Sequence, residues 1–245
     1  MYMNLVITIL AGGLGKRMKS DLPKVLHLFK EKPIIVHIIE QSFKLKPNKI
    51  IIITGKFNDI IQETLRNYFD EEHFKQFIFV IQETPLGTGH AVSCCLSNYS
   101  KNEDVLILNG DTPKLNQSLL EKFIYSSKDN LLMTCELDDP HGYGRIIKNK
   151  KNQIQKIVEE KDASEEERKI KNVNSGIYKI KGEHLINYIP LIENKNKQNE
   201  YYLTDIIEIL LKNNEQLLNY TISKEENNLI LGVNTKEQLE DLENL

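Results

Sequence analysis

The first half of the chain is a series of short apolar runs: Leu5–Leu10, Lys49–Thr54, Phe77–Ile81, Val105–Asn109 and Leu131–Leu137. Helical patterns separate them, near Ile34–Leu45, Asp59–Tyr68, Gly89–Leu96 and Leu119–Ser126. The runs are rich in Ile, Leu and Val and show no polar alternation, so each predicts a strand buried on both faces. Strands of this kind alternating with helices predict an α/β fold, a doubly wound and mainly parallel sheet covered by helices. Ligands of such sheets bind outside the carboxyl ends of the strands. The residues that follow each run are therefore where chemistry is expected.

After the first run comes Leu10-Ala11-Gly12-Gly13-Leu14-Gly15-Lys16-Arg17-Met18, and soon after it Leu22-Pro23-Lys24-Val25. Glycines bring backbone N–H groups close to phosphate oxygens, and Arg17 and Lys24 add full positive charges beside them. The loop is neither of two familiar phosphate binders. A Walker A loop needs Ser or Thr after its Lys, and Arg17 follows Lys16. The dinucleotide fingerprint needs a third glycine, and Met18 stands there. An ordinary strand-to-helix turn is the competing reading, which the paired cations disfavour.

The third run leads into Gln82-Glu83-Thr84-Pro85-Leu86-Gly87-Thr88-Gly89-His90, and the fourth into Asn109-Gly110-Asp111. Gln82 carries an adjacent donor and acceptor that can read a pyrimidine edge; a plain loop-to-helix cap is the alternative. Asp111, at the end of a buried strand near a phosphate loop, suits Mg²⁺, which takes one or two carboxylates plus substrate phosphate oxygens. Asn234 in Gly232-Val233-Asn234-Thr235 offers a second oxygen. For both residues a helix cap is the competing role.

The second half changes character. Gly144–Lys148 and Ile154–Glu159 flank Asn149-Lys150-Lys151-Asn152 and predict a β-hairpin. A charged helix is expected over Ser164–Ile170, with Ser164 and Glu167 spaced as a capping box. A strand is expected at Ser175–Ile180, a polar loop at Glu193–Asn199, and helices at Tyr202–Lys212 and Thr235–Leu245. Glu159, Asn174 and Thr204 are candidates for gripping sugar hydroxyls and a sugar phosphate. The expected organisation is one domain, with a nucleotide-binding half at 1–137 and a sugar-phosphate-binding half at 138–245.

Composition narrows the partners. At 245 residues the chain can bury a full core, and a net charge of −3 with both signs mixed throughout argues against a nucleic-acid stripe. Cys94, Cys95 and Cys135 lack metal-type spacing and fit reduced thiols of a cytoplasmic protein. No run approaches the roughly 20 apolar residues of a membrane span. No secretory leader is evident. Neither nucleic acid nor membrane is an expected partner.

The blocks LAGGLGKRM, SDLPKVLH (Ser20–His27), PLGTGHA (Pro85–Ala91), NGD (Asn109–Asp111), DDPHGYGRI (Asp138–Ile146), VEEKDAS (Val158–Ser164), VNSGIY (Val173–Tyr178), EYYLTDII (Glu200–Ile207) and GVN (Gly232–Asn234) occur in this order. In them the chain resembles the uridylyltransferase domain of bacterial bifunctional N-acetylglucosamine-1-phosphate uridyltransferases, from Leu10 to about Asn234. The resemblance implies the nucleotide-diphospho-sugar transferase fold. It also implies conversion of UTP and N-acetylglucosamine 1-phosphate to UDP-N-acetylglucosamine and pyrophosphate. Carried onto this sequence, it assigns Arg17 and Lys24 to the phosphates and the reacting centre. Uracil falls to Gln82, Gly87 and Thr88 with the main chain around Leu10, Ala11, Gly12 and Gly13. Mg²⁺ falls to Asp111 and Asn234, and the sugar phosphate to Gly144, Glu159, Asn174, Tyr202 and Thr204.

The chain departs from that pattern at Lys16, where Thr is usual, at Leu14, where Lys is common, and at Asn109, where Tyr is frequent. It shows no hexapeptide repeat of the kind that builds the family's acetyltransferase β-helix, so a single-function enzyme is expected, with its oligomeric state open. Three alternatives stand beside this reading: a pyrophosphorylase for another hexose 1-phosphate or nucleotide, a catalytically silent nucleotide-sugar sensor, and a glycosyltransferase. Retention of Arg17, Lys24 and Asp111 argues against the sensor. A single carboxylate in Asn109-Gly110-Asp111, in place of Asp-x-Asp, argues against the glycosyltransferase.

Overall fold

The computed structural model of the protein describes residues 4–13 and 15–245, and of Lys16 only the main chain. Leu14 and the Lys16 side chain, two of the departures above, thus lie outside the described residues. Strands β1 (Leu5–Leu10), β2 (Leu28–Phe29) and β3 (Lys32–Pro33) lead into helix α1 (Ile34–Lys44). Then follow β4 (Lys49–Thr54), α2 (Asn58–Arg66), α3 (Glu71–Phe74), β5 (Phe77–Ile81), α4 (Thr88–Ser93), β6 (Asp104–Asn109), α5 (Gln117–Tyr125) and β7 (Asn130–Glu136). The second half adds β8 (Arg145–Lys148), β9 (Ile154–Val158), α6 (Glu165–Arg168), β10 (Asn172–Lys181), α7 (Gly182–Tyr188), α8 (Asp205–Lys212), β11 (Leu217–Thr221) and α9 (Lys236–Asn244).

The central sheet runs β11-β7-β10-β6-β1-β4-β5, with β8 and β9 attached through β10. β1 pairs in parallel with β4 and β6, β4 with β5, and β7 with β11. β10 alone in this path is antiparallel to both neighbours, β6 and β7. Because β10 comes from the second half and lies between two strands of the first, the halves share one sheet.

The apolar runs lack alternation because the sheet has two covered faces. Leu5, Ile7 and Ile9 of β1, with Ile50 and Ile52 of β4, pack into a layer that includes Ile35 and Ile39 of α1, Phe123 of α5 and Leu242 of α9. Val6, Ile51 and Ile53 point the other way, toward Val92 of α4, Leu185 of α7 and Leu210 of α8. A period-2 strand between two apolar layers is apolar at every position, and each such side chain contributes about 1.5–3 kcal/mol of burial.

β10 carries a register shift between Asn174 and Tyr178. Gly176 sits in it at φ +78°, a backbone conformation that L side chains rarely adopt. Across the bulge this long strand pairs with β7 on both sides of the shift, with β8 at its start and with β6 at its end.

The expected hairpin is β8–β9. Asn149 Oδ1 accepts from the N–H groups of Lys151 and Gln153, and Asn152 takes φ +63°. The Ser164/Glu167 capping box is present, with Glu167 N donating to Ser164 Oγ at 3.2 Å and Ser164 N to the Glu167 carboxylate at 2.8 Å. Several expected helices are shorter than their patterns, α6 (Glu165–Arg168) among them. α4 ends at Ser93, and α8 starts only at Asp205, with Thr204 at the N-cap position and its hydroxyl donating to Glu159 and not to the helix main chain. β2, β3, α3, α7 and β11 carry no pattern that set them apart in the sequence.

Candidate active site

Parallel packing brings the ends of β1, β5 and β6 to one edge of the sheet, where a cleft of two lobes opens. Leu10, Thr88, Asn109 and Asp111 line both lobes and mark their junction.

One lobe, about 280 Å³, is lined by Gly12, Gly13, Lys24, Gln82, Gly87 and Glu200 among others. Gln82 is buried. Its side-chain NH₂ donates to Gly87 O at 3.0 Å and to His90 Nδ1 at 2.9 Å. A carbonyl only accepts, so Gly87 O fixes the amide orientation and leaves Gln82 Oε1 as the free group, an acceptor. Gly87 has φ +107°, and a Cβ there would stand 2.5 Å from Tyr201 O. The segment from the second half is strapped to this turn: Gly89 N donates to Tyr201 O at 2.7 Å, Tyr201 N to Leu86 O at 2.8 Å, and Leu203 N to Thr88 Oγ1 at 3.0 Å. Ala11 lines neither lobe. It is buried, and its N–H is used on Ile53 O at 2.8 Å.

At the junction the cations meet the oxygens. The Lys24 ammonium pairs with the Asp111 carboxylate and donates to Asn234 Oδ1 at 3.1 Å, while Arg17 donates to the same Oδ1 at 2.9 Å. Neither oxygen-bearing side chain is a helix cap. Asn116 caps α5 and Thr235 caps α9, which leaves Asp111 and Asn234 free to face the cleft. Among the described residues no three His, Cys, Asp or Glu side chains gather as a metal cluster. One carboxylate and one amide oxygen converging on a positive charge fit a cation whose other ligands come from substrate phosphates and water. Met18, which spoils the dinucleotide fingerprint, is 1% exposed and anchors the loop in the core.

The other lobe, about 260 Å³, is lined by Arg17, Tyr143, Gly144, Glu159, Asn174 and Thr204 among others. Thr204 Oγ1 donates to Glu159 Oε1 at 2.9 Å. Desolvation lifts the Glu159 carboxyl above its ordinary range, with the Thr204 bond pulling the other way. Asn174 donates to the Tyr178 hydroxyl at 2.6 Å and accepts from Gly176 N at 3.0 Å, so its amide is held at the bulge.

Tyr202 does not reach this lobe. It is buried and lines a different recess, with Asp162, Asp205 and Lys156, whereas its neighbours Leu203 and Thr204 line the cleft. In that recess the Asp205 carboxyl is pushed up to about 6, by desolvation first and then by Glu208 and Asp162.

Sequence reasoning did not place Ser175, Gly176, Tyr178 or Gln238 in the cleft. A glycine inside a strand pattern was the available signal for the β10 bulge.

A family model described as nucleotidyl transferase matches residues 6–226. A probable UDP-N-acetylglucosamine pyrophosphorylase of Acanthamoeba polyphaga mimivirus is 41% identical over 98% of this chain and 96% of its own length. The chain belongs to the nucleotidyl transferase family. Bifunctional GlmU proteins of Caldicellulosiruptor saccharolyticus and Nitrosomonas eutropha are 39% and 41% identical over 94% and 97% of the chain. The chain spans about half the length of these two, 49% and 51%. A solved structure of a putative glucose-1-phosphate thymidylyltransferase from Bacillus anthracis superposes with a TM-score of 0.73 at 22% identity, covering 98% of this chain and 94% of that one. It shows the same fold. Nucleotidyltransferases of this family generally use a divalent metal ion. Among the described residues no helix is long and apolar enough to cross a membrane.

Proposed function

We propose that this nucleotidyltransferase uses UTP and N-acetylglucosamine 1-phosphate to make UDP-N-acetylglucosamine and pyrophosphate, with Mg²⁺ as its metal. The observation that carries the reading is the two-lobed cleft whose lobes meet at Asp111, beside Lys24, Arg17 and Asn234. A nucleotide in one lobe and a sugar phosphate in the other meet phosphorus to phosphate at that junction. The name and near full-length match of the mimiviral relative support the substrate pair.

The acceptor is a phosphate monoester, already an adequate nucleophile, so no activated Ser or Cys is needed. One of its oxygens forms a bond to the α-phosphorus of UTP as the bond to the bridging oxygen breaks, and pyrophosphate leaves with that electron pair. The protein's part is positioning and charge neutralisation. Gln82 Oε1, with its NH₂ committed to Gly87 and His90, accepts from the imide N–H of uracil; cytosine presents an acceptor there and is disfavoured. Lys24 moves from Asp111 to the α-phosphate region, and Arg17 stays on the sugar-lobe side against the entering phosphate. Asp111 and Asn234 would hold Mg²⁺, which when bound neutralises phosphate charge. Glu159, Asn174 and Thr204 take sugar hydroxyls, and Gly144 gives the ring room. We place the enzyme in the cytoplasm, where the buried Cys95 and Cys135 thiols, each pushed up to about 12 by desolvation, stay reduced and inert.

The test is pyrophosphate release across UTP, CTP, ATP and GTP with several sugar 1-phosphates, with and without Mg²⁺. UTP with N-acetylglucosamine 1-phosphate and Mg²⁺ should give the highest kcat/KM. A better pair of any other composition overturns the substrate assignment.

A further inference from the structure

We propose that Arg145 is a positioning residue for the sugar phosphate: with Glu160 it holds the Gly142–Gly144 wall of the sugar lobe at a set distance from Glu159. This rests on the reading of that lobe as the sugar-phosphate site.

Arg145 opens β8 and is 1% exposed, among the most buried large side chains of the protein. A charge this deep is tolerated only when it is paired and hydrogen-bonded. Its guanidinium meets three separate segments. One Nη donates to Tyr143 O, the other reaches Glu160 Oε2 at 2.7 Å, and Nε and the second Nη both reach Arg168 O at 3.4 Å. Glu160 Oε2 also accepts from Gly142 N at 3.2 Å, and the Arg168 side chain approaches Glu160 Oε1 at 3.5 Å.

Neither Arg145 nor Glu160 lines the cleft, but their partners do. Gly142, Tyr143 and Gly144 form one wall of the sugar lobe, and Glu159, the chain neighbour of Glu160, forms another. The loop at 140–144 belongs to no strand. Besides this knot its main chain is tied by Tyr143 N to Pro140 O at 3.2 Å, by His141 N to Asp139 Oδ1 at 3.1 Å and by Asn174 N to Gly144 O at 2.9 Å. One carboxylate, Glu160, therefore anchors both walls, and the planar fork of Arg145 ties it to the loop and to the end of α6. A lysine ammonium is a point charge and cannot span these acceptors. The knot touches nothing in the nucleotide lobe, so its effect should be one-sided.

The experiment compares Arg145→Lys and Glu160→Gln with a Leu185→Ala control, a core truncation on α7 that lines neither lobe. Steady-state KM is measured for each substrate, and calorimetric binding for UTP and UDP-N-acetylglucosamine. Both knot variants should raise the sugar-phosphate KM about tenfold and weaken the UDP-sugar similarly, with UTP affected less than about twofold. Leu185→Ala should lower the melting temperature and leave both KM values unchanged. Equal rises for both substrates, an unchanged sugar-phosphate KM, or the same split in Leu185→Ala would overturn the proposal. If Arg145→Lys does not fold, Glu160→Gln, which keeps an acceptor oxygen, decides the matter. If wild-type enzyme prefers another sugar 1-phosphate, the substrate assignment fails, and the split is read with that sugar instead.

Discussion

Replacing Lys24 with Met should have two opposite consequences: slower turnover and tighter divalent-cation binding by the nucleotide-free enzyme. Lys24 engages both oxygens assigned to the metal, pairing with the Asp111 carboxylate and donating to Asn234 Oδ1 at 3.1 Å. A metal entering there must meet or displace a positive charge. Unit charges at about 4 Å repel by about 1 kcal/mol in bulk water, so a divalent ion beside one ammonium is opposed by about 2 kcal/mol. The Lys24 and Asp111 side chains are 15% and 17% exposed, so the local dielectric lies below that of water and this figure is a lower bound. It corresponds to about 30-fold in the dissociation constant. Met keeps the length of the stem and removes the charge. The assay is Mn²⁺ titration followed by electron paramagnetic resonance, on wild type, Lys24→Met, and Lys24→Met with Asp111→Asn. Lys24→Met should bind Mn²⁺ more tightly, and the added Asp111→Asn should abolish the gain. Unchanged or weaker Mn²⁺ binding in Lys24→Met would refute Asp111 and Asn234 as the cation's protein ligands. Near-wild-type kcat in the same variant would remove Lys24 from the reacting centre.

Gly144→Ala places a Cβ 2.8 Å from Ile157 Cγ2 and 3.6 Å from Glu159 Oε2, so the methyl must push the lobe wall outward; we expect a raised sugar-phosphate KM with UTP unaffected, and a stability loss of about 1–3 kcal/mol by denaturant titration. Gln82→Leu removes the donor to Gly87 O together with the free acceptor, and should raise the UTP KM at least about tenfold while relaxing the preference over CTP, read from competing-substrate rates. Asp205 titrates at about 6 in the folded protein, above its ordinary value, so the folded state holds its proton longer than the unfolded chain does and loses stability as pH rises between the two. Asp205→Asn should therefore gain in melting temperature over wild type as pH goes from about 4 to about 6 and keep a constant lead above that; a lead that is absent at pH 7, or largest at pH 4, would show the carboxylate is not strained.

The strands buried on both faces were legible to within a residue. Leu5–Leu10 and Lys49–Thr54 appear in the structure with the boundaries the apolar runs predict, and the runs at Val105–Asn109 and Leu131–Leu137 fall within one residue of β6 and β7. Phe77–Ile81 also matches in bounds, but it is the edge strand β5 and is only partly buried, not buried on both faces as its run predicts. β11 was not legible, because Leu217–Thr221 has neither a continuous apolar run nor a clean alternation; it is partly exposed, Leu218 at 47%. α7 follows β10 directly, through Gly182, with no loop composition to announce it. In the cleft, Gln82, Asp111 and the glycine loop could be found because they follow strands of a parallel sheet. Tyr202 could not be sorted from Thr204, since which of these residues faces the lobe depends on how the chain enters α8.

The residues alone determined the sheet class and the sheet edge where the cleft opens, and they mark the glycine loop as a candidate phosphate binder. Each is a local property: apolar period, chain direction at a strand end, and glycine beside cations. Only the tertiary structure decided which distant groups meet. Lys24 and Asn234 are 210 residues apart in sequence yet share a hydrogen bond, and Arg145 reaches a loop, a turn and a helix end at once. Such contacts are set by the packing of β10 between β6 and β7 and of α9 beneath the cleft. A side chain's direction is then fixed by the neighbours that crowd it, and no spacing along the chain records those neighbours.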